Sequence, residues 1–383
     1  MSDPSDFFAL DPAIHYLNHA YLAPQLKSSI AAAQQQLAHM GNPHQMDASI
    51  FFDPANKVRS RFAHIIGSKE PDRVALIPSA SYGLANAARQ VRPVKGSNLV
   101  LLQGQFPSNV YIWQRVARDF ECELRWVEAP EFGPQMGEKW NQALLAAVDS
   151  KTAVVAVPPL FWSDGIRFDL VALRQRTKEV GAYFVLDGSQ ALGALPIDVD
   201  QLQPDALVSA AYKFLCGPYG TALAWYGPNY DGAEPMEDNW LAHEGASDFQ
   251  NLVKYNPNYA AVGQRFSSGQ HPAFLQLSML NEALKQVGVW GAAKVQAHAT
   301  TLLEPFIEKF MAIGCGLLPT DQRCAHLFGL RLPKGVSLSQ VKKQLEAKGV
   351  FVSLRGDSMR VSLYLYNQPQ DLQALLSCLK STL

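Results

Sequence analysis

Short unbroken apolar runs recur along the first two thirds of the chain, at Val74–Ile77, Leu99–Leu102, Ala153–Val157, Tyr183–Leu186 and Ala206–Val208. Runs this short, rich in Val and Leu and with no polar alternation, read as strands covered on both faces in a mostly parallel sheet. Between them lie helical stretches. Lys27–His39 is rich in Ala and Gln, Asp53-Pro54 starts a helix that runs to Ile66 with Gly67 as its stop, and Trp140–Val148 and Leu170–Val180 are amphipathic. Such alternation predicts an α/β protein, a large three-layer α/β/α domain on a mixed, mostly parallel sheet.

The pattern changes towards the C-terminus. A helix opened by Arg265–Pro272 runs through Leu284, and a long helix begins at Val289. A strand at Ala325–Leu332, a helix at Leu338–Lys348 and a strand at Val350–Leu354 then predict a smaller α+β domain. The expected division is an N-terminal polar arm over 1–13, a large domain over 14–288 and a small domain over 289–383. Asp231–Ala261, rich in Asn, Gly, Pro and aromatics, has no period and reads as a long irregular loop.

Two polar residues stand out against this background. Asp187 closes the run Tyr183–Leu186, and Lys213 follows the next run. Strands of open α/β sheets deliver such residues to the carboxyl edge, where ligands bind. Alone, an Asp at a strand end is an ordinary turn former and a Lys in a loop is ordinarily solvated. Pro78–Ala88 adds a small polar turn running into a helix, whose first N–H groups suit an anion.

At 383 residues the chain exceeds the roughly 250 to 300 at which a single core stops growing, consistent with two domains. A net charge of −1 shows no basic excess, which argues against nucleic acid or an anionic membrane as partner. Five scattered cysteines have neither CxxC nor metal-ligand spacing, so reduced thiols in a cytoplasmic protein are expected and no metal site is. No signal peptide and no membrane span are expected either.

The segments Asp187-x-x-Gln190, Tyr212-Lys213 and Arg355-Gly356-x-x-x-Arg360-x-Ser362, the last running on to Tyr366-Asn367, resemble the fold-type I, class V aminotransferase superfamily of pyridoxal-phosphate enzymes. That superfamily includes cysteine desulfurases, kynureninases and isopenicillin N epimerase-like proteins. The resemblance covers essentially the whole chain, beginning with His15–Pro24. It implies pyridoxal 5′-phosphate as cofactor, with Lys213 forming the internal aldimine and moving the substrate Cα proton. By the same resemblance Asp187 holds the pyridine nitrogen protonated, and Gln190 meets the ring hydroxyl. Ala80, Ser81 and Tyr212 hold the phosphate, and Phe106 stacks on the ring. Gln270 sits on an element that in relatives reaches the partner's cofactor phosphate, so a homodimer with the site at its interface is implied. On the substrate side are Arg360 for the carboxylate, Arg355 as a second candidate, Asn18 and Trp162.

The departures narrow the chemistry. Desulfurases carry a cysteine in the loop that here runs Arg355-Gly356-Asp357-Ser358, so sulfur transfer is disfavoured. Kynureninases usually carry His where Gln190 stands. An aminotransferase acting on an α-amino acid is the first expectation. A lyase or epimerase comes next, and a cofactor-binding scaffold without catalysis is a third reading.

Overall fold

The computed structural model describes residues 3–271 and 273–383. Pro272, read above as part of a helix start, and the first two residues of the arm lie outside them. A seven-stranded sheet forms the centre. Its strands are β1 (Val74–Ile77), β2 (Asn98–Leu102), β3 (Glu123–Val127), β4 (Thr152–Val157), β5 (Tyr183–Asp187), β6 (Ala206–Ala210) and β7 (Ala222–Tyr226). The order is β1-β7-β6-β5-β4-β2-β3, and β7 alone runs antiparallel to its neighbours.

Alternate residues of each strand enter different cores. Leu76, Val100, Val155, Phe184 and Leu207 pack on one face, and Ala75, Leu99, Val154, Val185 and Val208 on the other. Helices α3 (Ala80–Gln90) and α4 (Ser108–Asp119) cover the second face through Leu84, Ala87 and Trp113. On the first face, α2 (Asp53–Ile65) and α5 (Met136–Ala146) contribute Phe62, Trp140 and Leu144. This is the three-layer arrangement that the apolar runs predict.

The strand β3 is absent from that prediction. It is an edge strand pairing only with β2, and its Glu123-Leu124-Arg125-Trp126-Val127 run is mostly half-buried, with Glu123 exposed and only Val127 buried. Arg125 there bonds Glu123 and Asp149. An edge strand need not be apolar on both faces, so it shows no unbroken run.

The C-terminal sheet has three antiparallel strands in the order β9-β10-β8, namely β8 (Leu327–Leu330), β9 (Ser353–Arg355) and β10 (Ser358–Ser362). Val350–Leu354 is thus not one strand. Val350–Phe351 pairs in parallel with His15–Tyr16, and the chain then turns into β9. Leu17, assigned above with the large domain, is buried in the C-terminal core beside Val350 and Val361. The N-terminal arm is pinned rather than merely polar, because Phe8 is buried against Trp290 and Tyr366.

The helix expected to end at Leu284 runs on as α7 (Phe274–Trp290), because Leu284, Val287 and Trp290 continue its buried stripe. Gly291, at φ +71°, makes the break before α8 (Ala292–Ala312). Among the described residues no helix is long and apolar enough to cross a membrane.

Gly165 is where the loop after β4 docks on the small sheet. Its φ is +78°, its carbonyl accepts from the Cys324 N–H at 2.9 Å, and an added Cβ would fall on the Leu327 carbonyl. Gly165→Ala is expected to lower the unfolding free energy by about 3 kcal/mol, the sum of left-handed strain and overpacking. An unchanged urea midpoint would show that this loop is not held against β8.

Candidate active site

The carboxyl ends of β1, β2, β4, β5 and β6 face one edge of the sheet, and a cavity of about 260 Å³ lies there. The chain turns at this edge from building β2 and β3 outwards to building β4 on the other side of β2, the kind of switch point that opens a crevice in α/β sheets.

Lys213 lies three residues beyond β6 and is only 7 % exposed. Its turn is held by backbone, with the Cys216 N–H donating to the Lys213 carbonyl and the Gly217 N–H to that of Ala211, both at 2.8 Å. Cys216 takes the left-handed φ of +53° that this tight turn requires. Burial pushes the Lys213 amine down to about 8. The Asp187 carboxylate opposes that shift, and the Arg360 and Arg355 cations add to it. Its Nζ lies 5.4 Å from the Phe106 ring centroid and 5.7 Å from that of Tyr212.

Asp187 ends β5, buried, and its Oδ1 accepts from the Ser189 N–H at 3.0 Å. The Gln190 amide donates to the Ala20 carbonyl at 3.2 Å, leaving a buried Oε1 with no partner. Opposite, Ser79 caps α3 by accepting from the Tyr82 N–H, so the first N–H groups of that helix face the cavity at Ala80 and Ser81. The Ser81 hydroxyl donates to Ser108 at 3.0 Å. Phe106, 41 % exposed, meets Trp162 edge-on at 5.6 Å. Tyr212 packs on Tyr219 at 4.7 Å.

A second space of about 270 Å³ shares the walls Phe106, Trp162, Gln190, Tyr212, Lys213 and Tyr219 and is closed by Tyr21, Leu22, Arg355 and Arg360. Arg360 comes from β10 and is buried. Its Nη1 donates to the Trp162 carbonyl at 3.1 Å, while Nε and Nη2 are buried without partners. Desolvation and the like charge of Arg355 depress this guanidinium to about 9.

The fold therefore brings together Ala80, Ser81, Phe106, Trp162, Asp187, Gln190, Tyr212, Lys213, Arg355 and Arg360. Asn18 does not join them. Its Oδ1 accepts from the Ser353 hydroxyl at 2.6 Å beneath the small sheet, and its own segment reaches the cavity through Ala20, Tyr21 and Leu22. Gln270 is exposed and outside both cavities.

Other residues of the site were not singled out from the sequence. Asn109 and Gln105 line the first cavity with buried atoms lacking partners, Nδ2 and Oε1 respectively. The Pro107-Ser108-Asn109 run after β2 was their available signal. Tyr219 arrives from the Gly217-Pro218-Tyr219-Gly220 turn. Fully buried His326 bonds the Gln190 carbonyl through Nε2 at 2.9 Å and Gln296 through Nδ1, fixing the Gln190 turn from beneath. No local pattern marks either residue.

Comparison with known proteins matches this architecture. The chain is 26 % identical to kynureninase of Pseudomonas fluorescens over 331 residues, 83 % of this chain and 73 % of that protein. It is 23 % identical over 316 residues to the uncharacterized aminotransferase YcbU of Bacillus subtilis (strain 168), covering 82 % of this chain and 80 % of YcbU. Among solved structures, the cysteine desulfurase CsdA of Escherichia coli superposes with a TM-score of 0.82 at 16 % identity, over 99 % of this chain and 97 % of CsdA. The family model "Aminotransferase class-V" spans residues 15–375, nearly the whole chain including both sheets and both cavities, and the chain belongs to that family.

Proposed function

We propose that this chain is an aminotransferase that takes an α-amino acid as substrate. Pyridoxal 5′-phosphate is its cofactor, in keeping with its family. The donor set fits that group, with an anion-ready helix start at Ala80–Ser81, an unpaired acceptor at Gln190 Oε1, a carboxylate at Asp187 and a buried amine at Lys213. When bound, the cofactor supplies an electron sink that makes the Cα–H bond of an amino acid acidic.

The protein's own groups do the rest. The first N–H groups of α3 and the Ser81 hydroxyl would hold the phosphate, and Asp187 would keep a proton on the ring nitrogen. Gln190 would hydrogen-bond the ring oxygen, and Phe106, on the cavity wall, would lie against the ring. Arg360 takes the substrate carboxylate through Nε and Nη2, the two atoms of its guanidinium left unpaired. Lys213, neutral in a large fraction of molecules near pH 8, moves the proton at Cα.

One observation carries transamination ahead of other outcomes. Among the described residues lining the two cavities there is no His, Cys or Glu. A thiol would be needed to accept sulfur, and a second acid, beside the lysine that holds the Cα proton, to protonate a leaving group independently. Burial raises the Tyr212 hydroxyl, which makes it a poorer proton donor. Lys213 is thus a single base suited to relocating one proton. A lyase is the second reading, favoured by the match to kynureninase.

Incubation with each amino acid, with and without a 2-oxo acid, followed by mass spectrometry separates the two. An oxo acid that forms only with an acceptor means transamination. Formation without acceptor, together with ammonia or a cleaved side chain, overturns it in favour of the lyase.

Uptake of pyridoxal phosphate by the stripped protein follows the neutral amine. It is expected to rise with pH and level off above about 8, where an ordinary lysine would continue to 10.5. A profile rising beyond pH 10 would mean that Lys213 is solvated.

The working unit proposed is a homodimer. The loop Asp231–Ala261 exposes Trp240, Phe249 and Tyr255, the last 94 % exposed, and exposed Gln270 lies beyond that loop. Sedimentation equilibrium is expected to give twice the chain's 42.1 kDa.

A further inference from the structure

Two arginines, rather than one, close the substrate side of the site. Their guanidinium carbons lie 5.4 Å (Arg355) and 6.0 Å (Arg360) from the same Trp162 ring. With Lys213 they place three basic groups around the second space, two of them permanent cations, and no carboxylate is among its lining residues. The acid adjacent in the hairpin, Asp357, is committed to Arg331. The first cavity adds only Asp187, which lies at its floor on the sheet edge.

The two arginines are not spare copies of each other. Arg360 has Nε and Nη2 unpaired, one complete edge of the guanidinium, and a single carboxylate saturates that edge with two parallel bonds. Arg355 spends Nη1 on its own neighbour, the Leu354 carbonyl at 2.7 Å, and keeps a buried Nε without a partner. A substrate with one carboxylate leaves Arg355 a half-buried cation with no counter-charge, beside another cation. That arrangement is unfavourable unless a second anion enters.

Resting on the amino-acid reading above, we infer that the substrate is a dicarboxylic amino acid, with its α-carboxylate on Arg360 and its distal carboxylate on Arg355. Donor and acceptor of a transamination use the same site in turn. The 2-oxo acid acceptor is then a diacid as well.

Isosteric pairs test this on the wild-type holoenzyme. Aspartate against asparagine, and glutamate against glutamine, keep the shape and exchange the distal charge for an amide. One of the acids is expected to exceed its amide about 100-fold in kcat/KM, the scale of a lost charge-assisted pair. Arg355→Gln is expected to bring that ratio to within a few-fold, chiefly by raising KM for the acid. Arg355 sits at a hairpin turn and is half-buried, so the variant is expected to fold, and near-ultraviolet circular dichroism checks that it does. Equal use of acid and amide by the wild type, or an unchanged ratio in the variant, overturns the inference and leaves the amino-acid reading standing. Failure of the loaded enzyme on every amino acid overturns both.

Discussion

Lys213→Ala is expected to lower turnover by about 10⁴-fold or more and to abolish the near-visible absorbance of the loaded protein. General-base help alone accounts for roughly 10² to 10⁴ of that, and loss of the covalent tie to the cofactor adds to it. The loss is chemical rather than structural, because backbone bonds around Ala211, Lys213 and Cys216 hold the turn. Added methylamine is expected to restore a small fraction of the rate. Normal turnover in the variant would overturn the assignment of the base.

Stability moves in the opposite direction. The folded Lys213 amine titrates at about 8 against an ordinary 10.5, so between those values the unfolded chain binds more protons and stability rises with pH. Below pH 8 the cofactor-free fold bears the whole cost of burying the ammonium, about 3 kcal/mol at 1.36 kcal/mol per pKa unit. Lys213→Met is therefore expected to stabilise the cofactor-free protein by about that amount at pH 7, with the gain gone above pH 10.5. Urea unfolding at the two pH values measures it, and a variant less stable than wild type at pH 7 would contradict the buried-ammonium account.

Asp187→Asn carries the second large effect, a drop of roughly 10² to 10³-fold in turnover with the cofactor still captured. Asparagine keeps an oxygen for the Ser189 N–H, so the local turn survives. It brings no negative charge to hold a proton at the ring nitrogen. Because the Asp187 charge raises the Lys213 amine, its removal is also expected to shift the pH midpoint of cofactor uptake below 8. A substitution that merely loosened the fold would expose the lysine and shift the midpoint upwards. The direction of the shift therefore distinguishes an electrostatic role from a packing one.

What the sequence showed and what it hid follow from burial. Strands β1, β2 and β4 to β7 are covered on both faces, which favours apolar runs and makes Asp187, at the end of one, and Lys213, three residues beyond another, conspicuous as polar residues. The edge strand β3 had no such signature. Asn18 lies in a motif that reads as part of the site, but a hydrogen bond to Ser353, far away in sequence, holds it beneath the small sheet, and no local pattern announces such a bond. His326 reaches the site by the same kind of long-range placement, through its bond to the Gln190 carbonyl.

The short ladder joining His15–Tyr16 to Val350–Phe351 constrains when the protein becomes competent during synthesis. The opening strand leaves the ribosome first yet finds its partner only after the C-terminal strands have been made. Until then Ala20–Leu22, bonded to Tyr212 through the Ala23 N–H and to Gln190 through the Ala20 carbonyl, has no Arg360 beside it. A nascent chain can thus complete the seven-stranded sheet and its reactive lysine while the substrate wall is still missing. Premature termination before Val350 is expected to leave a product without Arg360, its strand His15–Tyr16 unpaired and the core residue Leu17 uncovered, both open to aggregation.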